Sequence, residues 1–294
     1  MSRFKTLVGT FSIFLALFCG SLAYQQDNIN CATIPMPHYS SPNFSGIVAN
    51  KAPEPHRDES VIKYMEPSLR IHKTGVYGSG TICYFDKAKN IAYVISCAHL
   101  FRSENDAKDG VIVEAFYKNG KKLSTPQSFK AEVIAVKIGG YADDISLLKF
   151  TPDWEPTYFP IAKSDYNYEP GKILFSTGCD NASEVACYYI KILQLEQTFL
   201  ATIENSPRPG RSGGGLITED GWFVGICVRT SDVGGYGTGY YVKLQTIHEF
   251  LKNKDFGWLL EVSKKQQNKL LLSIPIVDRN MPQGNYPQDY VPVP

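Results

Sequence analysis

Short apolar segments, separated by turn residues, run through most of this 294-residue chain. Five of them are candidate strands in the first half: Gly80–Tyr84, Ile91–Ser96, Val111–Tyr117, Ala131–Val136 and Ile145–Phe150. Five more follow a proline-containing stretch, Thr151–Pro170: Lys172–Thr177, Tyr188–Leu195, Phe199–Glu204, Trp222–Arg229 and Tyr240–Leu244. With 24 Gly and 18 Pro to supply turns, this pattern predicts an all-β fold of barrels or sandwiches. We expect the proline-containing stretch to bridge two halves.

Helix is predicted only near the end of the chain. The segment Thr246–Lys252 is amphipathic, and its apolar residues share one face: Ile247, Phe250 and Leu251. Trp258–Leu272 is a second candidate helix, and the chain becomes rich in proline after it.

The charge balance limits the classes of partner. Basic residues number 30 and acidic residues 29, for a net charge of +1. This balance gives no electrostatic footprint for nucleic acid or an acidic membrane surface. The apolar share of 43% is ordinary for a globular protein, and it excludes a wholly disordered or polytopic membrane chain.

The N-terminus has the layout of a secretory signal peptide. Basic Arg3 and Lys5 precede the apolar run Leu7–Cys19, and small residues follow at Ser21 and Ala23. The run is shorter than the roughly 20 residues that a membrane span needs. We therefore predict a signal peptide at residues 1–23, a secreted or periplasmic protein without a stable membrane span, and an extended arm at residues 24–59.

Export would permit disulfides. Of the seven cysteines, Cys19 lies in the predicted signal peptide, which leaves six. Two candidate pairs flank a short segment or lie on neighbouring predicted strands: Cys179 with Cys187, and Cys83 with Cys97. Cys31 and Cys227 are left over. The sequence has no CxxC motif and only five His, so neither a metal nor another cofactor is predicted.

Three segments contain residues that serve nucleophilic catalysis together. They are Val94–His99, where an apolar strand ends in His, Asp144–Leu148, where Asp begins an apolar strand, and Gly210–Gly214, where Ser212 lies among glycines. A serine nucleophile needs a base within hydrogen-bond reach, and that base needs an acceptor to fix its tautomer. Asp143 is a rival for Asp144, which we prefer because it directly precedes the strand.

Five motifs in this order resemble those of trypsin-like (chymotrypsin-fold) serine proteases of bacterial type. They are Gly78-Ser79-Gly80, Ser96-Cys97-Ala98-His99, Asp144-Ile145-Ser146-Leu147-Leu148, Gly210-Arg211-Ser212-Gly213-Gly214 and Gly239-Tyr240-Tyr241-Val242-Lys243-Leu244. The resemblance implies two antiparallel six-stranded β-barrels at residues 60–253, closed by a C-terminal helix. Residues 254–294 would form a further helix and a Pro-rich tail.

The resemblance also implies roles for individual residues. Ser212 would be the nucleophile, His99 the general base and Asp144 its orienting partner. The N–H groups of Gly210 and Ser212 would form the oxyanion hole. A peptide substrate would contact five further residues: Ser206, Val228, Arg229, Thr230 and Gly239. Because Ser206 stands at the implied pocket base, a medium apolar or small polar side chain is expected there in preference to Arg or Lys.

Arg211 departs from the digestive members of this family. Those members have Asp before the nucleophile, and it pairs with a new N-terminal amine after cleavage. A guanidinium cannot make that pair, so we predict no trypsin-type activation switch. Arg211 would instead be free to bind a carboxylate elsewhere in the protein.

Two functions remain in competition. The first is an exported serine endopeptidase, and the alternative is a catalytically inactive trypsin-like binding or scaffold protein. The presence of all three triad residue types favours the first. An α/β-hydrolase esterase is disfavoured because its triad has the order Ser, Asp, His, which is reversed here.

Overall fold

The computed structural model describes residues 59–181, 183–195, 199–203, 206–231 and 238–273. The predicted signal peptide at residues 1–23, nearly all of the predicted arm at residues 24–59, and the Pro-rich tail lie outside the described residues. In the described part, twelve strands form two closed barrels, accompanied by four helices.

The first barrel follows a short helix, α1 (Glu59–Met65). Its strands are β1 (Ser68–Lys73), β2 (Val76–Asp86), β3 (Ile91–Ser96), β4 (Val111–Lys118), β5 (Lys121–Lys137) and β6 (Ile145–Phe150). Helix α2 (Glu104–Lys108) lies between β3 and β4. The strand order β1-β2-β3-β6-β5-β4 is closed by pairing of β1 with β4. Successive strand side chains alternate between barrel interior and exterior, so Val111, Val113 and Ala115 are buried in β4.

The second barrel repeats this plan. Its strands are β7 (Ile173–Cys179), β8 (Val185–Leu195), β9 (Phe199–Ile203), β10 (Gly215–Ile217), β11 (Phe223–Ser231) and β12 (Thr238–Lys243). They follow the order β10-β11-β12-β9-β8-β7, and β10 pairs with β7 to close the barrel. All pairings in both barrels are antiparallel, so the prediction of an all-β fold with two antiparallel six-stranded barrels is confirmed.

Two helices end the described chain, α3 (Leu244–Asn253) and α4 (Trp258–Ser273). The amphipathic prediction for α3 is confirmed, because its apolar face is buried: Leu244, Ile247, Phe250 and Leu251. None of the helices in the described ranges combines the length and apolar character that crossing a membrane requires.

The segment between β6 and β7 contacts both barrels. The N–H of Phe159 donates to Ile82 O in the first barrel at 3.0 Å, and the N–H of Ala162 donates to Phe223 O in the second at 3.0 Å. Ile161 also forms a bridge with Phe223 and donates its N–H to Ser263 Oγ of α4. This connection therefore fastens the two barrels to each other and to α4.

The two disulfides expected from sequence are not formed. The five described cysteines, Cys83, Cys97, Cys179, Cys187 and Cys227, are buried thiols. Cys187 lies opposite Thr177 and Cys179 opposite Val185, so this pair is diagonal, about 7–8 Å apart, which is too far for a disulfide.

The expected Cys83–Cys97 pair fails for a similar reason. Val94 lies opposite Ile82, and Cys97 is three residues beyond it, roughly 10 Å along the strand direction. Burial raises the pKa of Cys83, Cys179 and Cys227 to about 12, which keeps these thiols protonated and unreactive.

Candidate active site

His99 and Asp144 lie at the adjoining ends of β3 and β6, where Ser96 is opposite Ser146. Asp144 is buried, and its Oδ1 accepts the N–H groups of Ala98 at 2.6 Å and of His99 at 2.7 Å. Its Oδ2 is hydrogen-bonded to Nδ1 of the His99 ring. A carboxylate at Nδ1 holds a proton there and leaves Nε2 as the atom that accepts another.

The neighbouring hydroxyls hold the backbone turn that carries His99. Ser146 Oγ donates to Cys97 O at 2.8 Å, and Ser96 Oγ donates to Ser79 O at 2.6 Å. Both bonds are buried, so the strand ends that position the imidazole and the carboxylate are tied together. Asp143, the rival in the sequence, instead pairs with Lys137 Nζ at 2.6 Å near the surface.

Ser212 lies in the loop before β10, and this loop packs against the first barrel. The carbonyl of Ser212 accepts the N–H of Ser79 at 2.7 Å. Gly213 has a φ of +87°, and a Cβ there would overlap Ser79 O and Ser96 Oγ and approach Cys97 N to 3.0 Å. Glycine is required at this position because the backbone of Ser212 is pressed onto the segment that carries His99.

Two backbone amides beside Ser212 point to anion binding. Among the described residues, neither the N–H of Gly210 nor that of Ser212 donates a hydrogen bond to the protein, whereas the N–H of Arg211 between them donates to Arg208 O at 3.1 Å. Two amides in the loop of Ser212 that have no acceptor among the described residues are the kind of donors that a tetrahedral oxyanion needs.

The ring of His99 has a sulfur neighbour. Its Nε2 is 3.7 Å from Cys97 Sγ, and within the described ranges no hydrogen bond joins it to Ser212 Oγ. Burial by itself would lower the pKa of His99, but contacts with the Cys97 sulfur and the Asp144 carboxylate outweigh it and raise this pKa above its ordinary value. Both contacts do so because they stabilise the protonated ring.

These groups do not suit a metal centre. Cys97, His99 and Asp144 bring possible ligand atoms within 4.8 Å of one another. However, both oxygens of Asp144 already accept N–H groups, which leaves Cys97 Sγ and His99 Nε2. Catalytic zinc sites use three protein ligands, so this donor set fits a hydrogen-bonded pair better than an ion.

The residues expected to bind substrate also come together. Ser206 Oγ is hydrogen-bonded to Thr230 Oγ1. Thr230 lies opposite Gly239 on β12, where a Cβ would come within 2.8 Å of Pro207 and of Thr202 Oγ1. Ser206, Thr230 and Gly239 therefore lie close together, and two of the three carry hydroxyl groups.

Val228 and Arg229 lie in the part of β11 beyond its pairing with β10. Strand β10 pairs with β11 only between Ile226 and Phe223, and the register of β11 against β12 shifts at Val228. In the described part of the chain, no strand covers the β10 side of β11 from Val228 onward. Such an edge can accept an added strand, as in extended peptide binding.

Arg211, next to Ser212 in the same loop, has a buried side chain that is only 1% exposed. Its Nε donates to Asp180 Oδ1 at 2.8 Å and its Nη2 donates to Asp180 Oδ2 at 2.6 Å. Tyr188 donates its hydroxyl to the same Oδ2 at 2.6 Å, and its ring lies 3.8 Å from the guanidinium carbon. Asp180 is therefore a carboxylate of the kind that the sequence suggested for Arg211.

Two residues of the site had no role assigned from sequence. Ser79 lies in the Gly78-Ser79-Gly80 motif, and its Oγ donates to Gly210 O at 2.8 Å and accepts the N–H of Cys179 at 2.8 Å. Asp180 directly follows β7, lies beyond the predicted strand Lys172–Thr177 and belongs to no motif, so no sequence signal connected it with Arg211.

The chain is similar to known proteases. Residues 78–226, just over half of the chain, match the family model described as a trypsin-like peptidase domain. A search of curated proteins finds no match.

Two solved structures illustrate the likeness of fold. The inactive form of a serine-to-alanine mutant of Rv3671c from M. tuberculosis has 16% identity, covers 70% of this chain and 96% of its own, and gives a TM-score of 0.50. A serine endoprotease from Yersinia pestis has 16% identity, with coverage of 69% and 66% and a TM-score of 0.52. At these identities the likeness concerns the fold alone.

Proposed function

Since this chain belongs to the trypsin-like peptidase family, we propose that it is an exported serine endopeptidase that hydrolyses peptide bonds through an acyl-enzyme. The single observation that carries the proposal is the buried Asp144, whose carboxylate accepts two backbone N–H groups and holds Nδ1 of His99. That arrangement leaves Nε2 as the ring atom that can accept a proton.

The reaction then proceeds in two balanced halves. Ser212 Oγ attacks the peptide carbonyl carbon while its proton passes to His99 Nε2, and the carbonyl oxygen becomes an oxyanion held by the N–H groups of Gly210 and Ser212. The carbon–nitrogen bond breaks as His99 returns the proton to the leaving amine. Water repeats these steps on the acyl-enzyme and releases the acid. Asp144 remains ionised and stabilises the imidazolium.

The His99 ring must approach Ser212 for this chemistry. Hydrogen bonds between catalytic groups are often long in ligand-free enzymes and tighten in the substrate complex. A bound peptide also removes water from the crevice, which strengthens the remaining electrostatic contacts.

The substrate is proposed to be an extended polypeptide. Its backbone would pair with β11 at Val228, Arg229 and Thr230, the segment beyond the β10 pairing. The side chain before the cleaved bond would meet the hydroxyls of Ser206 and Thr230, beside Gly239. These groups suit a medium apolar or small polar side chain, because a buried cation without a countercharge is costly. A digest of a peptide library tests this preference, and cleavage restricted to Arg or Lys would contradict it.

Export is proposed from residues 1–23, with cleavage after Ala23. N-terminal sequencing of the protein recovered outside the cytoplasm should begin at Tyr24. Retention of the mature protein in the cytoplasm would contradict this part of the proposal.

Labelling with a fluorophosphonate tests the nucleophile. The wild type should be labelled, and both Ser212→Ala and His99→Ala should abolish labelling. The matched control is Ser164→Ala, an exposed serine between the barrels, which should label like the wild type. Labelling that persists in Ser212→Ala would refute the assignment.

One observation favours the alternative of an inactive binding protein, namely that His99 Nε2 lies near Cys97 Sγ. Under that alternative the folded wild type would not be labelled at all, although peptides would still bind.

A further inference from the structure

We propose that Arg211, Asp180 and Asn181 form a built-in clamp that aims the oxyanion-hole amides, so that the enzyme needs no activating cleavage. This inference rests on the proposed function and concerns the regulation of the same site. The clamp joins the turn after β7 to the loop that carries Ser212.

The first part of the clamp is a buried ion pair. Arg211 and Asp180 form two parallel hydrogen bonds, and Tyr188 covers the guanidinium and donates to the carboxylate. Bidentate pairs of this kind are strong and geometrically specific. Breaking such a pair leaves an uncompensated buried charge, so the Arg211 side chain has no comparable alternative position.

The second part acts on the backbone. Asn181, the residue after Asp180, donates its N–H to Pro209 O at 2.5 Å. Pro209 O and the Gly210 N–H belong to one planar peptide unit and point in opposite directions. Holding this carbonyl therefore directs the Gly210 N–H to the other side, where it has no acceptor among the described residues.

The second amide is set in the same way. The carbonyl of Arg211 accepts the N–H of Gly214 at 2.8 Å. This carbonyl shares a peptide unit with the Ser212 N–H, which is thereby turned away from Gly214. Between the two units, the N–H of Arg211 donates to Arg208 O. The anchored Arg211 side chain thus lies between the two peptide units that carry the Gly210 and Ser212 N–H groups, and the turn at Asp180 and Asn181 holds both ends of this segment.

The consequence for regulation follows from the charges. In the digestive relatives that the sequence resembles, a new N-terminal amine supplies the cation that orders this loop. Here the loop itself carries the cation, and Asp180 supplies the anion within the same barrel. Every part of the clamp is therefore present in the uncleaved chain.

The test uses the mature protein beginning at Tyr24. Asp180→Asn and Arg211→Met should each lower kcat by about 100-fold, the scale of losing an oxyanion donor, while KM changes by less than about threefold. Arg211→Lys should recover part of kcat, because it keeps the charge and loses the bidentate fork. All rates are normalised by titrating active sites, which removes any loss that is due only to unfolded protein.

The control is Glu155→Gln, which breaks the exposed Lys87–Glu155 pair and should leave kcat unchanged. Tyr188→Phe removes one hydroxyl from Asp180 and should lower kcat by several-fold; it decides the matter if the larger changes prevent folding. Variants with normal kcat per active site would overturn the clamp and leave the proposed function intact. A wild type that becomes active only after cleavage within residues 24–58 would overturn it as well.

The two proposals fail in different ways. If the folded wild type neither reacts with fluorophosphonate nor cleaves peptides, the peptidase function itself is refuted and the clamp with it. If the wild type is active, only the comparison of the clamp variants decides.

Discussion

The two barrels hold their proposed catalytic groups in different ways. In the first barrel, His99 and Asp144 lie at the ends of paired strands and bond directly to each other. In the second barrel, Ser212 lies in a loop whose contacts come from elsewhere, from Ser79 of the first barrel and from the turn at Asp180.

The two barrels therefore differ in how they fix the positions of these side chains. A residue at a strand end inherits the rigidity of the sheet, whereas a loop must be held by tertiary contacts. We therefore expect changes around His99 to act on proton transfer, and changes around Ser212 to act on loop geometry. Four substitutions test this contrast, from the largest expected effect to the smallest.

Asp144→Asn should have the largest effect on activity. An amide at this position no longer fixes a proton on Nδ1, and we expect kcat to fall by about 10⁴-fold while the fold is kept. Steady-state kinetics and circular dichroism measure the two quantities. The control is Asp143→Asn, which affects only the surface pair with Lys137. An equal loss of kcat in both variants would contradict the assignment of Asp144 as the partner of His99.

Gly213→Ala should disrupt the loop. The added Cβ overlaps Ser79 and Ser96 at a φ of +87°, so we expect a loss of about 3 kcal/mol of unfolding free energy and most of the activity. Gly75→Ala has a similar φ of +82° but open space around it, and should cost only about 1 kcal/mol. Urea unfolding measures both free energies. If the two variants lose a similar amount, the positive φ accounts for the loss and the overlap with Ser79 and Ser96 does not.

Ser79→Ala should weaken the contact between the barrels. It removes the hydroxyl that bonds Gly210 O and Cys179 N–H, so we expect about 2 kcal/mol lower stability. Because Gly210 shifts, kcat should fall roughly tenfold, less than for a lost oxyanion donor. Ser164→Ala, on the surface, serves as the control. If kcat is unchanged in Ser79→Ala, Ser79 does not help to position the loop that carries Ser212.

Cys97→Ala should have the smallest effect, a shift of the pH profile. His99 must be neutral to accept a proton, so a raised pKa places the rise of kcat/KM above the ordinary pH of about 6.5. Removing the sulfur removes one of the contacts that raise this pKa, and the rise should move to lower pH. The control is Cys83→Ala, which removes a different buried thiol, in β2, and should leave the pH at which kcat/KM rises unchanged. A shift to higher pH in Cys97→Ala would contradict this account.

Much of the fold could be predicted because most strands have a recognisable apolar pattern within their own few residues. Ten of the twelve strands correspond to predicted apolar segments, and two do not, β1 and β10. Strand β1 carries Arg70, His72 and Lys73, and β10 has only three residues, so neither shows a clear apolar pattern. Their strand conformation comes from the neighbours that they pair with.

The candidate site likewise has features that local sequence predicts and features that only tertiary structure determines. The sequence by itself determined the motifs around His99, Asp144 and Ser212, because each is a short run with a local backbone requirement. Only the tertiary structure decided that Asp180 pairs with Arg211, that Cys97 lies beside the His99 ring, and that the described cysteines form no disulfide. These outcomes depend on the register and closure of strands far apart in the chain, which no local pattern encodes.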